Sequence, residues 1–428
     1  MKKLILQPWS VLLLLTLLVA CDDDDDANDV TPAVTFEEME SEWVRISLMR
    51  ENAIDLLQTN TGEIIHTISG DMTENARHYT SSSGRYLVKI DRAGNKVRFF
   101  DSGVINHIDH GHQNQPSWLP TTVDTPLPTH FSTSLGHMVI FNDGDGSITY
   151  VRESQLELPA YTPTVMSLQN AVKHHGAAFR LDNGKFAVTF RTAPALPEGI
   201  GLPQVVKFVN ADGTVIDDNG GVEVTNIHGN ATNGEYGVFG STDGVILVDN
   251  QDNISLIENI GGLNSETGQW IGTVKSHDNS DLFFGRSRNF GVFVIDPEAQ
   301  TMTSLYAGDD VAGDMMSFDG QYYVLHTTDG HVRVYNANDG TEVAERVVEM
   351  ADIPALAATG RTSSSEIEVL RQMNEPSPVL ICSDSFLYIL APNRRQIKVL
   401  DISDLTHVHT IELDNEIVSM FKNGFTEE

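Results

Sequence analysis

Short apolar runs, cut apart by Asn-Gly, Asp-Gly and Ser-Gly pairs, recur along almost the whole chain. Residues 84–90 (GRYLVKI), 184–190 (GKFAVTF) and 320–326 (GQYYVLH) are examples. Such pairs favour the two-residue turns whose twist matches that of antiparallel strands. No long amphipathic pattern competes with them. Only residues 37–43 have the spacing of a short helical turn. A second period, of about 40 residues, overlies the first. One clear unit has apolar runs at 315–318, 322–326, 331–335 and 342–348. Similar units fall near 76–105, 130–158, 174–217, 227–260, 272–306 and 378–414. Four antiparallel strands per unit is the pattern of a propeller blade. The two ends complete one more, with 416–421 as its inner strand and 43–49, 53–58 and 63–68 as the rest. That arrangement closes the ring and removes its open edges. The expectation is an all-β chain: a β-propeller of eight four-stranded blades, with seven as the alternative count. The propeller is one domain over residues 36–428.

The N-terminus reads as an address. Lys2 and Lys3 precede an apolar run from Val11 to Val19, too short for a membrane span, which needs about 20 residues. Leu18-Val19-Ala20-Cys21 has the form of a bacterial lipobox. Residues 1–20 are therefore expected to be a lipoprotein signal peptide, with Cys21 lipidated. An ordinary signal peptide or an uncleaved anchor are the alternatives. Five aspartates, Asp22 to Asp26, open a tether at 21–35 whose mutual repulsion keeps it out of any core. An Asp directly after the lipidated cysteine resembles an inner-membrane retention signal. The expected location is the periplasmic face of a bacterial membrane, the inner one, held by the lipid.

Net charge is −33, and loss of residues 1–20 with their two lysines takes it to −35. Such a surface repels nucleic acid and attracts cations. Of two cysteines, only Cys382 remains once Cys21 is lipidated. No internal disulfide is then possible, and a metal site must draw on His, Asp and Glu.

Those residues are present in a pattern. His107, Asp109, His110 and His112 lie within six residues, beside Gly111. Neutral imidazole is the commonest protein ligand for zinc, and a carboxylate lowers the charge of a site holding a dication. This cluster lies in a connection of about 25 residues with Pro116, Pro120 and Pro126. It is expected to reach over the channel as a mobile set of ligands. His78, His130, His174, His175, His228 and His277 fall near the starts of units, where inner strands converge on the axis. A lone histidine there more often bonds a backbone carbonyl than a metal. His326, His331, His407 and His409 read as outer-strand surface residues.

Motifs in these segments resemble a known family. Asp101-Ser102-Gly103 is followed by Asp109-His110-Gly111-His112, then Pro128-Thr129-His130-Phe131, His174-His175-Gly176, Ile227-His228-Gly229 with Asp243-Gly244-Val245, and Gly291 to Pro297 (GVFVIDP). In this order, over residues 84 to 300, they are similar to the periplasmic β-propeller zinc metallochaperones of the AztD type. The loop differs in lacking the family's second Asp and in having Gln113-Asn114 where more histidine is usual. The resemblance implies a zinc carrier that passes its ion to the solute-binding protein of a zinc ABC importer. A monomer with no nucleic-acid partner is expected. His130, His175 and His228 would be the fixed ligands. Asp109, His110 and His112 would be the mobile ones, with His107 and His174 second to them.

Two other functions fit a propeller. One is a metal-dependent lactonase or esterase, for which a general base beside the metal is required. No His-Glu-x-x-His or Gly-x-Ser-x-Gly motif is present. The other is an interaction scaffold, with Trp118 and Trp270 as candidate contact aromatics.

Overall fold

A computed structural model describes residues 39–426, apart from 71–72, 74, 108–109, 195, 197–198, 217–219, 289 and 350–379. Its strands form eight four-stranded antiparallel sheets arranged as the blades of a propeller. Blade 1 holds Val44–Met49, Ala53–Gln58 and Glu63–Ser69, with Ser419–Gly424 as its inner strand. Blade 2 holds Arg77–Thr80, Tyr86–Asp91, Lys96–Asp101 and Ser117–Asp124. Blade 3 holds Pro128–Ser134, His137–Asn142, Ser147–Arg152 and Thr164–Met166. Blade 4 holds Ala178–Arg180, Phe186–Phe190, Val205–Val209 and Val215–Ile216. Blade 5 holds Ile227–Thr232, Tyr236–Ser241, Gly244–Asp249 and Ile254–Glu258. Blade 6 holds Ile271–Lys275, Phe283–Ser287, Gly291–Asp296 and Thr301–Ala307. Blade 7 holds Val311–Met316, Tyr322–Thr327, His331–Asn336 and Glu342–Val347, and blade 8 holds Leu380–Cys382, Phe386–Leu390, Gln396–Asp401 and His407–Glu412.

The continuous apolar runs are second strands, buried on both faces because each lies between neighbouring blades. Phe186–Phe190 and Phe386–Leu390 are buried at every position, whereas the outer strand Glu63–Ser69 is largely exposed. The core is a ring of such contacts. Val139 and Phe141 of blade 3 meet Phe186 and Val188 of blade 4. Phe179 stacks on Phe239 between blades 4 and 5 at 4.7 Å, and Phe284 on Tyr323 between blades 6 and 7 at 4.1 Å. Where Phe residues are fully buried, truncation to alanine in general costs about 3–5 kcal/mol.

Ring closure pairs the two ends of the chain, Val44 with Gly424 through Met49 with Ser419. Ser47 Oγ bonds Asn423 Oδ1 at 2.5 Å across this joint. The Tyr388 hydroxyl of blade 8 donates to Glu40 Oε2 at 2.8 Å. Burial raises the Glu40 carboxyl above its ordinary value. In place of a helical turn, the described residues 39–43 hold a single turn closed by Val44 N–H to Ser41 O at 3.1 Å.

Strand direction gives the ring two distinct faces. Inner strands all start at one face, which also receives each connection from the previous outer strand. The opposite face carries the turns from inner to second strand and from third to outer strand. On that opposite face a loop of blade 6 spans the axis to blade 3. The Asp278 carboxylate accepts from Ser134 Oγ at 2.5 Å and from Leu135 N–H at 2.7 Å. Leu135 sits in the left-handed region (φ 50°) to make its two-residue turn with Gly136, a conformation that costs a non-glycine residue about 1–2 kcal/mol. The Asp278 bond holds it there.

Candidate metal centre

His130, His175 and His228 come from three consecutive blades and meet at the face where inner strands start. His130 is on the inner strand of blade 3 and His228 on that of blade 5; His175 lies just before the inner strand of blade 4. Ring centroids are 4.6 Å (His130–His175), 5.1 Å (His130–His228) and 5.1 Å (His175–His228) apart. One ligand nitrogen from each lies within 4.8 Å of the others. Both inner strands are irregular at their histidine. Register shifts fall between Pro128 and Phe131 and between Ile227 and Asn230. A bulge of this kind re-aims a side chain that regular alternation would direct elsewhere.

The glycines of the motifs have local reasons. Gly229 has φ 79°, and a Cβ there would lie 2.5 Å from Gly272 O. A Cβ on Gly176 would lie 2.5 Å from both His174 Nε2 and the Phe141 ring.

Hydrogen bonds fix which nitrogens face the centre. His175 Nδ1–H donates to Asp143 Oδ2 at 2.8 Å, and His228 Nδ1–H donates to Gly272 O at 2.8 Å. In this tautomer each Nε2 is the ring nitrogen that carries the lone pair, as in carboxylate- and carbonyl-oriented metal ligands. His130 Nε2 stands 3.1 Å from His175 Nε2. Two ligands at about 2.0–2.1 Å from a tetrahedral zinc stand roughly 3.3 Å apart, so this pair needs almost no movement to share an ion. Burial, then the neighbouring His175 and His228, then Arg77 and Arg92, hold His130 well below its ordinary value. It is neutral at neutral pH, the form that ligates a metal.

Asp143 is wholly buried, and its Oδ1 has no hydrogen-bond partner. Arg92 balances its charge, donating to Asp143 Oδ2 at 2.9 Å and to Thr129 Oγ1 at 2.9 Å. Trp270 meets His228 edge-on at 6.4 Å. Gly201 O, in the long connection of blade 4, accepts from His175 N–H at 2.8 Å. Asp143→Asn removes the charge that orients and polarises His175. Losing the carboxylate that orients a metal-ligating histidine costs about 10- to 100-fold in metal affinity, so that weakening is expected by competition titration, with the fold retained by circular dichroism.

The other sequence candidates fall elsewhere. His174 is buried. Its Nδ1 bonds Val172 O at 2.7 Å and its Nε2 bonds Thr189 O at 3.0 Å, while the ring packs on Phe141. His174 is thus spent on backbone carbonyls behind the centre, while its neighbour His175 faces it. Asp109 lies outside the described residues. His107, His110 and His112 are exposed on an ordered hairpin, Val104–Asn106 with Gly111–Gln113. This hairpin joins the third and outer strands of blade 2, so it lies on the face opposite the trio. The expectation that it reaches over the channel to the same ion is corrected by this placement.

His78 lies on the inner strand of blade 2 with its ring 5.9 Å from Phe421, and His277 lies in the axis-spanning loop. His331 bonds Glu345 at 2.9 Å, and His407 bonds Thr410 at 2.9 Å. His326 is half-buried on a second strand rather than an outer one. Trp118 packs on Phe100 and under Arg98, away from the trio. Asp143 and Arg92 are the residues that sequence reading missed. Asp143 sits in the turn run Asn142-Asp143-Gly144-Asp145-Gly146, where every residue has a turn-forming reason to be present.

No protein-family model matches the chain. A curated protein described as zinc chaperone AztD of Citrobacter koseri is 20% identical over 392 residues, covering 90% of this chain and 87% of that protein. The structure of apo AztD from Citrobacter koseri superposes with a TM-score of 0.70 at 17% identity, covering 91% of this chain and 99% of that one. A second crystal structure of AztD from the same organism gives 0.70 at 18% identity, with 90% and 98% covered. At this identity the structures establish the shared eight-bladed fold. The resemblance first carried by short motifs thus extends over nine tenths of the chain.

Proposed function

We propose that this protein is an extracytoplasmic zinc carrier whose ion seat is His130, His175 and His228. The observation that carries this reading is the convergence of three imidazoles with two tautomers fixed by Asp143 and Gly272. Three neutral ligands leave a tetrahedral ion one open position. An acceptor's side chain can enter there before the carrier's ligands let go, which is the physical requirement for direct transfer. The acceptor in this reading is the solute-binding protein of a zinc ABC importer. The carrier is a monomer held by a lipid on Cys21 at the periplasmic face of the inner membrane.

A three-histidine zinc with an open position also serves hydrolases, which need a general base beside the metal-bound water. The carboxylate described beside the trio, Asp143, is engaged by His175 and Arg92. The relative in Citrobacter koseri is described as a chaperone. Both observations favour a carrier. Titration of the apo protein with zinc against a chromophoric chelator tests the reading. Uptake that withstands the chelator, followed by passage to an importer's binding protein without a free-ion pool, is the expected result. Failure to bind at micromolar zinc, or metal-dependent turnover of lactones or esters, overturns it.

A further inference from the structure

Two bars cross the ring at the face opposite the trio. The first is the blade 6 loop, whose Asp278 bonds Ser134 and Leu135 of blade 3. The second is Phe318, in the turn that follows the inner strand of blade 7. Its ring reaches blade 2, where a Cβ on Gly84 would lie 3.0 Å from it. Two blades stand between the ends of each bar, so the bars run side by side across the axis. Their ends are tied in pairs. Asn279 Nδ2 donates to Asp319 O at 3.0 Å between blades 6 and 7, and the Ser82 and Thr133 hydroxyls bond at 2.6 Å between blades 2 and 3.

Both flanks of this frame are filled. On one side Leu135 packs on Gly234 of blade 5, where a Cβ would lie 3.0 Å from Leu135 Cδ1, and Asn233 Nδ2 donates to Ser280 O at 3.0 Å. On the other, Lys422 of blade 1 holds its Nζ 2.9 Å from the centre of the Phe318 ring and donates to Gly424 O at 2.7 Å. Lys422 belongs to an inner strand, yet it is only 5% exposed. Burial lowers its amine from 10.5 to about 7, as exclusion of water does to a lysine.

The trio face is built differently. Bonds around the seat link neighbouring blades, Arg92 to Asp143 and His228 to Gly272 O. All three ligand histidines are half-buried, and 28% of the His175 side chain is exposed. The seat meets solvent on its own side.

We propose that the channel is blind at the face opposite the trio, so that capture and delivery of the ion share one mouth. Donor and acceptor then compete for the same rim, and the carrier alternates between them instead of passing an ion through the ring. An incoming ligand must come within about 2 Å of the zinc to take it. The inner strand Pro128–Ser134 crosses the ring at about 3.3 Å per residue, so a partner on the far face is held roughly 20 Å from the seat, with the floor between. This inference rests on the trio being the ion seat.

Capping one mouth at a time tests it on the full chain. Thr225→Cys places a thiol on the exposed connection three residues before His228, and Leu135→Cys places one on the floor, where the side chain is 53% exposed. Cys382 is buried, so the introduced thiol takes a biotin label, and the parent treated alike controls for Cys21. Streptavidin on the biotin covers that mouth. The measured rates are zinc uptake from, and zinc loss to, a chelator coupled to dextran. The cap at Thr225 is expected to abolish both, and the cap at Leu135 to leave both unchanged. An unchanged thermal midpoint controls for folding. Rates lowered equally by the two caps, or untouched by the cap at Thr225, overturn the blind channel. A parent that takes up no zinc overturns the seat itself, so the two failures are told apart.

Discussion

His175→Ala/His228→Ala is expected to abolish tight zinc binding at the channel mouth while leaving the propeller folded. Structural zinc sites release about 10 kcal/mol or more on binding. Shared among three imidazoles, that is about 3 kcal/mol each, or roughly two orders of magnitude in affinity per ligand. Removing two should therefore cost about four orders of magnitude. The fold should survive because both rings are half-buried at a rim and the buried aromatics between blades are untouched. Competition titration measures the affinity, and circular dichroism checks the fold. A double variant that binds zinc as tightly as the parent would place the ion elsewhere. The single variant His174→Ala is the informative control. It leaves the three facing nitrogens in place, so its cost should fall on stability through the lost bonds to Val172 and Thr189.

The fold was legible because each blade buries most of its second strand between its neighbours, and most blades mark their turns with glycine. Residues 184–190 read as a strand from their length and the Asn-Gly turn before them, and 186–190 prove to be an interior one. The trio was legible for a related reason: each histidine precedes or begins an inner strand, and inner strands converge. What could not be read was phase and parity. His174 and His175 are adjacent, and only the path of the chain decides which one faces the axis. The hairpin was assigned to the wrong face because one strand went uncounted. Ser117–Asp124 contains Pro120, which argues against a strand in a sheet interior. It is an outermost strand, where no neighbour needs the missing N–H, and its pairing with Lys96–Asp101 slips between Trp118 and Thr122. One strand more turns the preceding loop from a link between blades into a link within a blade. That moves it to the opposite side of the ring.

Acidification from pH 7 towards pH 4 is expected to destabilise the apo protein steeply, and histidines remote from the trio account for the sign. Burial lowers His78 from 6.5 to about 4, with Lys89 adding to the shift. Burial also lowers His277 and His326 below their ordinary values. His78 Nε2 and His326 Nδ1 are buried without hydrogen-bond partners, so neither site welcomes a proton. Below about pH 6.5 the unfolded chain protonates these rings and the folded chain does not. The stability they contribute is thus complete above that pH and is lost as pH falls towards their folded values. For His78 the slope approaches about 1.4 kcal/mol per pH unit. For His78 alone the loss accumulates to about 3 kcal/mol by pH 4. Glu40 and Asp319, whose carboxyls burial raises, bind protons more readily folded and offset part of the loss at the acid end. Thermal unfolding of the metal-free protein between pH 7.5 and 4.5 measures the effect. His78→Leu should flatten the profile by that residue's share, since leucine keeps the contact with Phe421 and takes no proton. A midpoint independent of pH over this range would mean that these rings meet solvent in the folded state. Zinc release should follow the same direction for a separate reason, because ligating imidazoles must give up their protons to bind the ion.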